Sequence, residues 1–248
     1  MNINNISIAC RSDVGNKRPN NEDEVGYLDK SNFKVILVAD GMGGHASGEI
    51  ASKMAKEMTL QLLDLNDNFK SVRDIKNVVK KVMKKTNKTI HELSSSNDIY
   101  YGMGTTLVMA IVTDFTTAII NCGDSRCYCL KDDKLSQITT DQTVVEYLYQ
   151  IGAITKEEMK TSPKRHVLMN AMGIAPNVDY DIKFIDNDYQ GLLVCSDGLT
   201  NMVDDQTIEK MWNQRKDVTT DSICASFVDQ ALVNGGIDNI SVCMLEVK

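Results

Sequence analysis

A buried strand that ends in a carboxylate limits what this chain can fold into. Val35-Ile36-Leu37-Val38-Ala39 is an unbroken apolar run, rich in β-branched residues. Such a run reads as a strand covered on both faces. Asp40-Gly41 follows at once, with Gly43, Gly44 and Gly48 close behind, and then Ile50, Met54, Met58 and Leu62 recur at helical spacing. Asp40 therefore stands where a buried strand opens, beside backbone that is free to bend. A lone Asp-Gly is ordinarily a turn dipeptide. Gly43-x4-Gly48 has the glycine spacing of a P-loop, but Glu49 occupies the place of its lysine and would repel phosphates. What sets Asp40 apart is recurrence. Asp124, Asp197 and Asp238 also stand at predicted strand edges, each beside Gly or Asn in sequence or one residue from it.

The chain has 248 residues and a net charge of −7, which argues against a nucleic-acid partner. Met1 to Asn5 lacks the basic and apolar regions of a leader peptide, and the apolar run Leu107 to Val112 is too short to span a membrane. No membrane insertion is expected. Seven cysteines occur without a Cys-x-x-Cys pair. Cys10, Cys122, Cys195, Cys224 and Cys243 lie in apolar surroundings and read as small buried hydrophobes, which suits a reducing, cytoplasmic location.

Strands are predicted at Ile6 to Arg11, Val25 to Leu28 and Phe33 to Ala39, with the polar loop Ser12 to Asp23 after the first. Helices follow at Glu49 to Leu63 and at Val72 to Leu93. The second turns Lys80, Lys81, Lys84, Lys85 and Lys88 outward, which reads as a solvated face. Strands resume over Thr106 to Val112, Thr116 to Cys122, Arg126 to Leu130 and Leu135 to Ile138. Thr143-x-x-Glu146 and Thr155-x-x-Glu158 look like capping boxes in a polar insertion at about 141–165, expected to be a mobile surface flap. Strands at Ile182 to Ile185, Gly191 to Cys195 and Ile240 to Val247 enclose helices near Asp205 to Trp212 and Ser222 to Asn234. Strands in runs and helices in pairs give a single α+β layered domain over 1–248.

Four carboxylates at one end of packed sheets repel one another unless a cation neutralises them. Oxygen ligands of this kind suit Mg2+ or Mn2+ rather than Zn2+. Gly41 can turn its carbonyl toward such an ion, Arg18 offers a planar fork for a phosphate, and Glu22 and Asp23 can hold water. Two ions bridged by one carboxylate can activate a water as a nucleophile.

Taken in order, Ser12-Asp13-Val14-Gly15 with Arg18 and Asn21-Glu22-Asp23, Val38-Ala39-Asp40-Gly41-Met42-Gly43-Gly44-His45, Gly102-Met103-Gly104-Thr105-Thr106, Gly123-Asp124-Ser125-Arg126, Ser196-Asp197-Gly198-Leu199 and Asp238-Asn239-Ile240-Ser241 run almost the length of the chain. The chain resembles the PPM (PP2C-type) metal-dependent protein serine/threonine phosphatases of bacteria. That resemblance implies a four-layer α-β-β-α sandwich, two antiparallel sheets flanked by helix pairs. It implies that Asp40 bridges two tight Mn2+ or Mg2+ ions, with Gly41 giving a backbone oxygen. Asp197 and Asp238 complete the first site, and Asp124 joins Asp197 around a weaker third ion. Arg18 would hold the substrate phosphate, and Glu22 and Asp23 water. It further implies phosphoprotein substrates, an opposing serine/threonine kinase and a monomer.

Two departures stand out. Asp141-Gln142-Thr143 replaces the Asp-His-Ser that often opens the flap region, and Met42 stands where eukaryotic members often carry a histidine proposed as general acid. His45 and metal-bound water are the remaining proton donors. The alternatives are a catalytically inactive relative serving as a binding module and a two-metal nuclease. The acidic chain, without a basic groove studded with aromatics, speaks against the nuclease.

Overall fold

The computed structural model describes residues 3–43, 47–96, 98–214 and 218–248. Two antiparallel sheets lie face to face. One has the order β1 (Ile6–Asp13), β11 (Ile240–Val247), β10 (Gly191–Cys195), β7 (Arg126–Lys131) and β8 (Lys134–Gln137). The other runs β2 (Asp23–Asp29), β3 (Lys34–Met42), β5 (Leu107–Val112), β6 (Thr117–Cys122) and β9 (Asp181–Ile185), with the short β4 (Gly104–Thr105) against the end of β3. Helices α1 (Ser47–Asp64) and α2 (Val72–Ser96) cover the second sheet. Helices α6 (Asp205–Asn213) and α7 (Thr220–Val233) cover the first, so the expected four layers are present. The short helices α3 (Val144–Gln150), α4 (Lys156–Thr161) and α5 (Asp197–Thr200) complete the fold.

The central strands are apolar throughout because both of their faces are covered. On β3, Val35, Leu37 and Ala39 pack toward α1 and α2, whereas Ile36 and Val38 enter the core between the sheets. β5 divides the same way, with Leu107, Met109 and Ile111 on the helix side and Val108, Ala110 and Val112 on the other. This is the period of two that a pleated strand imposes. Full burial of each Val, Leu or Ile contributes about 1.5–3 kcal/mol, and these residues are 0% exposed.

β3 runs three residues past Ala39, so Asp40 lies inside the ladder rather than after it. By the same alternation its side chain follows Ile36 and Val38 into the space between the sheets, where the core opens to a cleft. Asp197 begins α5, a turn of helix that the strand-edge reading did not include. Cys10 and Cys243, read from sequence as separate buried hydrophobes, are instead directly opposite in the β1–β11 register and joined as a disulfide. The cysteines at 122, 127, 129, 195 and 224 are free and buried. Among the described residues no helix is long and apolar enough to cross a membrane.

Candidate active site

The cleft at the open end of the two sheets has a volume of about 350 Å3. Arg18, Glu22, Asp40, Gly41, Asp124, Asp197 and Asp238 all line it. Asp23 does not: it lies beneath, paired across the ladder with Asp40 and only 5% exposed. Like charges directly opposite on antiparallel strands destabilise a sheet, so this pairing costs stability in the bare protein.

Three hydrogen bonds from Thr105 and Thr106 hold Asp40 by its backbone. Its N–H donates to Thr106 Oγ1 at 3.0 Å, and its carbonyl accepts from Thr105 Oγ1 at 2.9 Å and Thr106 N at 2.9 Å. The Gly104-Thr105-Thr106 motif thus fixes the strand end and leaves the carboxylate free. Next to it, Gly41 N–H donates to the Glu22 carbonyl at 3.0 Å. A Cβ on Gly41 would lie 2.2 Å from the Gly48 carbonyl oxygen and 2.5 Å from that of Glu22, so only glycine lets these three backbones converge.

The other acids come from chain reversals. Asp124 sits in the loop that carries the chain from β6 in one sheet to β7 in the other. Arg126, two residues on, turns its fork to Asp141 instead, with Nε donating to Oδ1 at 3.0 Å and Nη2 to Oδ2 at 2.7 Å. Asp197 Oδ2 accepts from Asn201 Nδ2 at 3.0 Å. Asp238 meets Arg18 at 2.8 Å and accepts from the Asn239 backbone N–H at 2.8 Å.

Burial raises the Asp40 carboxyl well above the ordinary range, and the charges of Asp23, Asp197, Asp124 and Asp238 add to it. Burial also lifts Asp23 to about 7, against hydrogen bonds from Ser196 and Ser241 that pull it down. Asp124 is raised to about 7 by burial and then by Asp197 and Asp141. Glu22 is raised by burial and drawn back by Arg18. Burial opposes the Arg18 charge, yet Asp238, Glu22 and Asp40 outweigh it and its pKa is raised.

Among the described residues no three Asp, Glu, His or Cys side chains are spaced to close on one ion as they stand. Asp238 is drawn to Arg18, and Asp197 to Asn201. The donor set nevertheless fits hard divalent cations. Among the described residues no donor hydrogen-bonds the Asp40 carboxylate, which faces four other carboxylates in a cleft where Arg18 is the one permanent cation. A buried charge so placed needs a counter-ion.

Two residues of the cleft carry no signal strong enough to single them out in sequence. His166, beyond α4, lines the cleft with its Nδ1 3.6 Å from Asp197 Oδ2, and Asp197 raises its pKa against the effect of burial. Its only mark in the sequence is an isolated imidazole in the polar run Lys164-Arg165-His166. Asn239 fastens the loop that carries Arg18. Its Nδ2 donates to the Val14 and Asn20 carbonyls at 2.9 Å each, and its Oδ1 accepts from Glu22 N–H at 2.8 Å. His45, a donor candidate from sequence, lies outside the described residues.

Gln142 has a different place from the one its position in the flap suggested. It lines no part of the cleft. Its Oε1 accepts from Gly123 N–H at 2.9 Å, its own N–H donates to the Gly123 carbonyl at 3.0 Å, and its Nε2 donates to Asp181 Oδ2 at 3.1 Å. It fastens the insertion to the turn that carries Asp124. The insertion contains α3 and α4, and Thr155 and Glu158 form a complete capping box. Thr143 caps α3 by accepting from Glu146 N–H, whereas Glu146 Oε1 accepts from Gln150. Gln142→Ala is expected to cost about 1–3 kcal/mol by leaving Gly123 N–H unpaired. The acid limb of the pH–rate profile should not move. Thermal melts and that profile check both; a shifted limb with unchanged stability would tie position 142 to the environment of the proton donor.

The sequence model of the protein phosphatase 2C family matches residues 14–234. A serine/threonine phosphatase stp of Listeria monocytogenes serotype 4b is 36% identical over 240 residues, covering 95% of this chain and 94% of its own. The crystal structure of serine/threonine phosphatase Stp1 from Staphylococcus aureus superposes with a TM-score of 0.91 at 31% identity, over 98% of this chain and 95% of that one. The catalytic domain of the serine/threonine protein phosphatase PstP, in complex with two manganese ions, gives a TM-score of 0.83 at 32% identity, over 97% of each chain.

Proposed function

The chain belongs to the protein phosphatase 2C family and is a metal-dependent protein serine/threonine phosphatase; we propose that the cleft around Asp40 is its catalytic centre. The observation that carries this reading is the unpartnered Asp40 carboxylate among Asp23, Asp124, Asp197 and Asp238. Asp40, the Gly41 carbonyl, Asp197 and Asp238 would hold two Mn2+ or Mg2+ ions, and Asp124 with Asp197 a weaker third. Such ions, when bound, supply Lewis-acid activation of water and of the phosphoryl oxygens.

The chain's own groups supply the rest. Arg18 presents its guanidinium to the cleft and would hold two oxygens of the phosphoserine or phosphothreonine phosphate. Glu22 and Asp23 would accept hydrogen bonds from water around the ions. Asn239 and Thr106 set the positions of Glu22 and Asp40. The domain would extend over 1–248, with 141–165 as its flap. Its substrates are phosphoproteins, and an opposing serine/threonine kinase, a cytoplasmic location and a monomeric state complete the proposal.

Chelation of the purified protein should abolish hydrolysis of a phosphothreonine peptide, and Mn2+ or Mg2+ should restore it, while an oligonucleotide is left intact. Metal should also change the pH dependence of stability. Raised carboxyl pKa values stabilise the bare fold below the unfolded-chain value of about 3.9. That contribution is lost as pH rises through about 7 for Asp23 and Asp124. The metal-free protein should therefore lose Tm between about pH 5 and pH 8, and Mn2+ should raise Tm more at the higher pH. Full turnover without metal, or equal Mn2+-induced shifts at both pH values, would contradict the assignment.

Arg18→Ala is expected to raise KM for phosphopeptide and for small aryl phosphates about thirtyfold, the equivalent of roughly 2 kcal/mol for a charge-assisted contact. The tight ions should stay bound. Steady-state kinetics beside calorimetric metal titration separate the two effects. Unchanged KM and kcat would remove Arg18 from phosphate binding.

A further inference from the structure

We propose that the outer face of α2 docks this protein on an anionic lipid surface. The helix buries Ile75, Val79, Val82, Met83, Thr86 and Ile90 against the sheet. At 100° per residue, Arg73, Lys81, Lys84 and Lys88 fall on the side opposite those residues. All four are exposed, as are Lys76, Lys80 and Lys85 on the flanks of the strip. Residues 73–88 span about 22 Å of helix, and their one acid is Asp74.

An ordinary solvated helix intersperses the two signs so that residues four apart attract. Here Lys76, Lys80, Lys84 and Lys88 succeed one another at that spacing, as do Lys81 and Lys85, and each such pair is repulsive. Among the described residues the only i,i+4 salt bridge is Lys88 with Glu92, at 3.6 Å, and Lys76 lies over the Phe184 ring at 5.4 Å. Arg73, Lys80, Lys81, Lys84 and Lys85 form no ion pair among the described residues. The strip is thus a concentrated positive field on a chain whose net charge is −7.

The chemistry of the strip selects its occupant. α2 contains no Phe, Tyr or Trp on which bases could stack. Flexible lysines, rather than bidentate arginines, suit a diffuse anionic surface. Each cation close to such a surface adds about fivefold to partitioning.

The test is co-sedimentation of the full chain with vesicles of phosphatidylcholine mixed with phosphatidylglycerol, against phosphatidylcholine alone. Binding is expected only to the anionic vesicles, and it should weaken steeply with salt. The combined change Lys80→Gln, Lys81→Gln and Lys84→Gln should lower partitioning by roughly a hundredfold while turnover of a phosphothreonine peptide in solution stays at the parent level. Should that variant fold poorly, Lys84→Glu alone should still lower binding, with turnover retained. Three outcomes would overturn the proposal: no association with anionic vesicles at low salt, equal binding by the variants, or displacement from vesicles by a duplex or single-stranded oligonucleotide at lower charge concentration.

Discussion

Replacing Asp40 by asparagine is expected to lower kcat/KM for a phosphothreonine peptide by more than about a hundredfold, because metal activation supplies several kcal/mol of a phosphoryl-transfer barrier. The same change should leave the metal-free fold intact or more stable. Asp40 is surrounded by Asp23, Asp124, Asp197 and Asp238, and its carboxyl is held well above the ordinary range. An amide of the same shape removes a buried charge that nothing in the bare protein neutralises. The backbone bonds from Thr105 and Thr106 do not depend on that side chain. The two readouts therefore move in opposite directions. At about pH 8 the Tm of metal-free Asp40→Asn should equal or exceed that of the parent, and Mn2+ should no longer raise it. A variant that unfolds without metal would make Asp40 a structural acid. One that keeps its turnover would dismiss the cleft as the catalytic centre.

The layered fold was legible because its cause is local. Strands with both faces covered must be apolar at every position, and Val35 to Ala39 and Leu107 to Val112 are. The periodicity of α1 and α2 follows from packing one face on a sheet. Asp40, Asp124 and Asp197 were legible for the opposite reason: each sets a charge at the end of a buried run. Residues that act through long-range bonds gave less away. Asn239 joins Val14, Asn20 and Glu22 across more than two hundred residues, yet in sequence it is an asparagine in a polar turn. His166 comes to Asp197 only through the return of the insertion past α4, where the Thr143–Leu168 bridge closes it. Gln142 looked like a substituted proton carrier because chain position says nothing of direction; its amide turns to Gly123, away from the cleft. The Cys10–Cys243 pairing depends on the β1–β11 register, which joins the two ends of the chain.

Gly41→Ala is expected to reverse the pattern of Asp40→Asn, with stability and metal affinity lost together. The added methyl would sit 2.2 Å from the Gly48 carbonyl oxygen and 2.5 Å from the Glu22 carbonyl oxygen, both main-chain atoms of different segments. Neither can rotate aside as a side-chain tip would. Relief requires α1 to back away from β3, or the loop carrying Arg18 and Glu22 to lift, and the Gly41 N–H to Glu22 carbonyl bond of 3.0 Å to break. Overpacking costs about 1–3 kcal/mol where side chains can adjust; with backbone on two sides a loss of about 3 kcal/mol or more follows. For a chain of 248 residues that corresponds to a fall in Tm of roughly 6–12 °C. The shift also moves the Gly41 carbonyl and Glu22, so calorimetry should find weaker binding of Mn2+ as well as slower turnover. Asp40→Asn and Gly41→Ala would then both be poor enzymes for separable reasons, the first stable and unable to hold the ions, the second strained at the junction that shapes their site. A Gly41→Ala protein with parental Tm would mean that Gly48 and Glu22 yield freely, and the convergence of backbones there would not be what fixes the cleft.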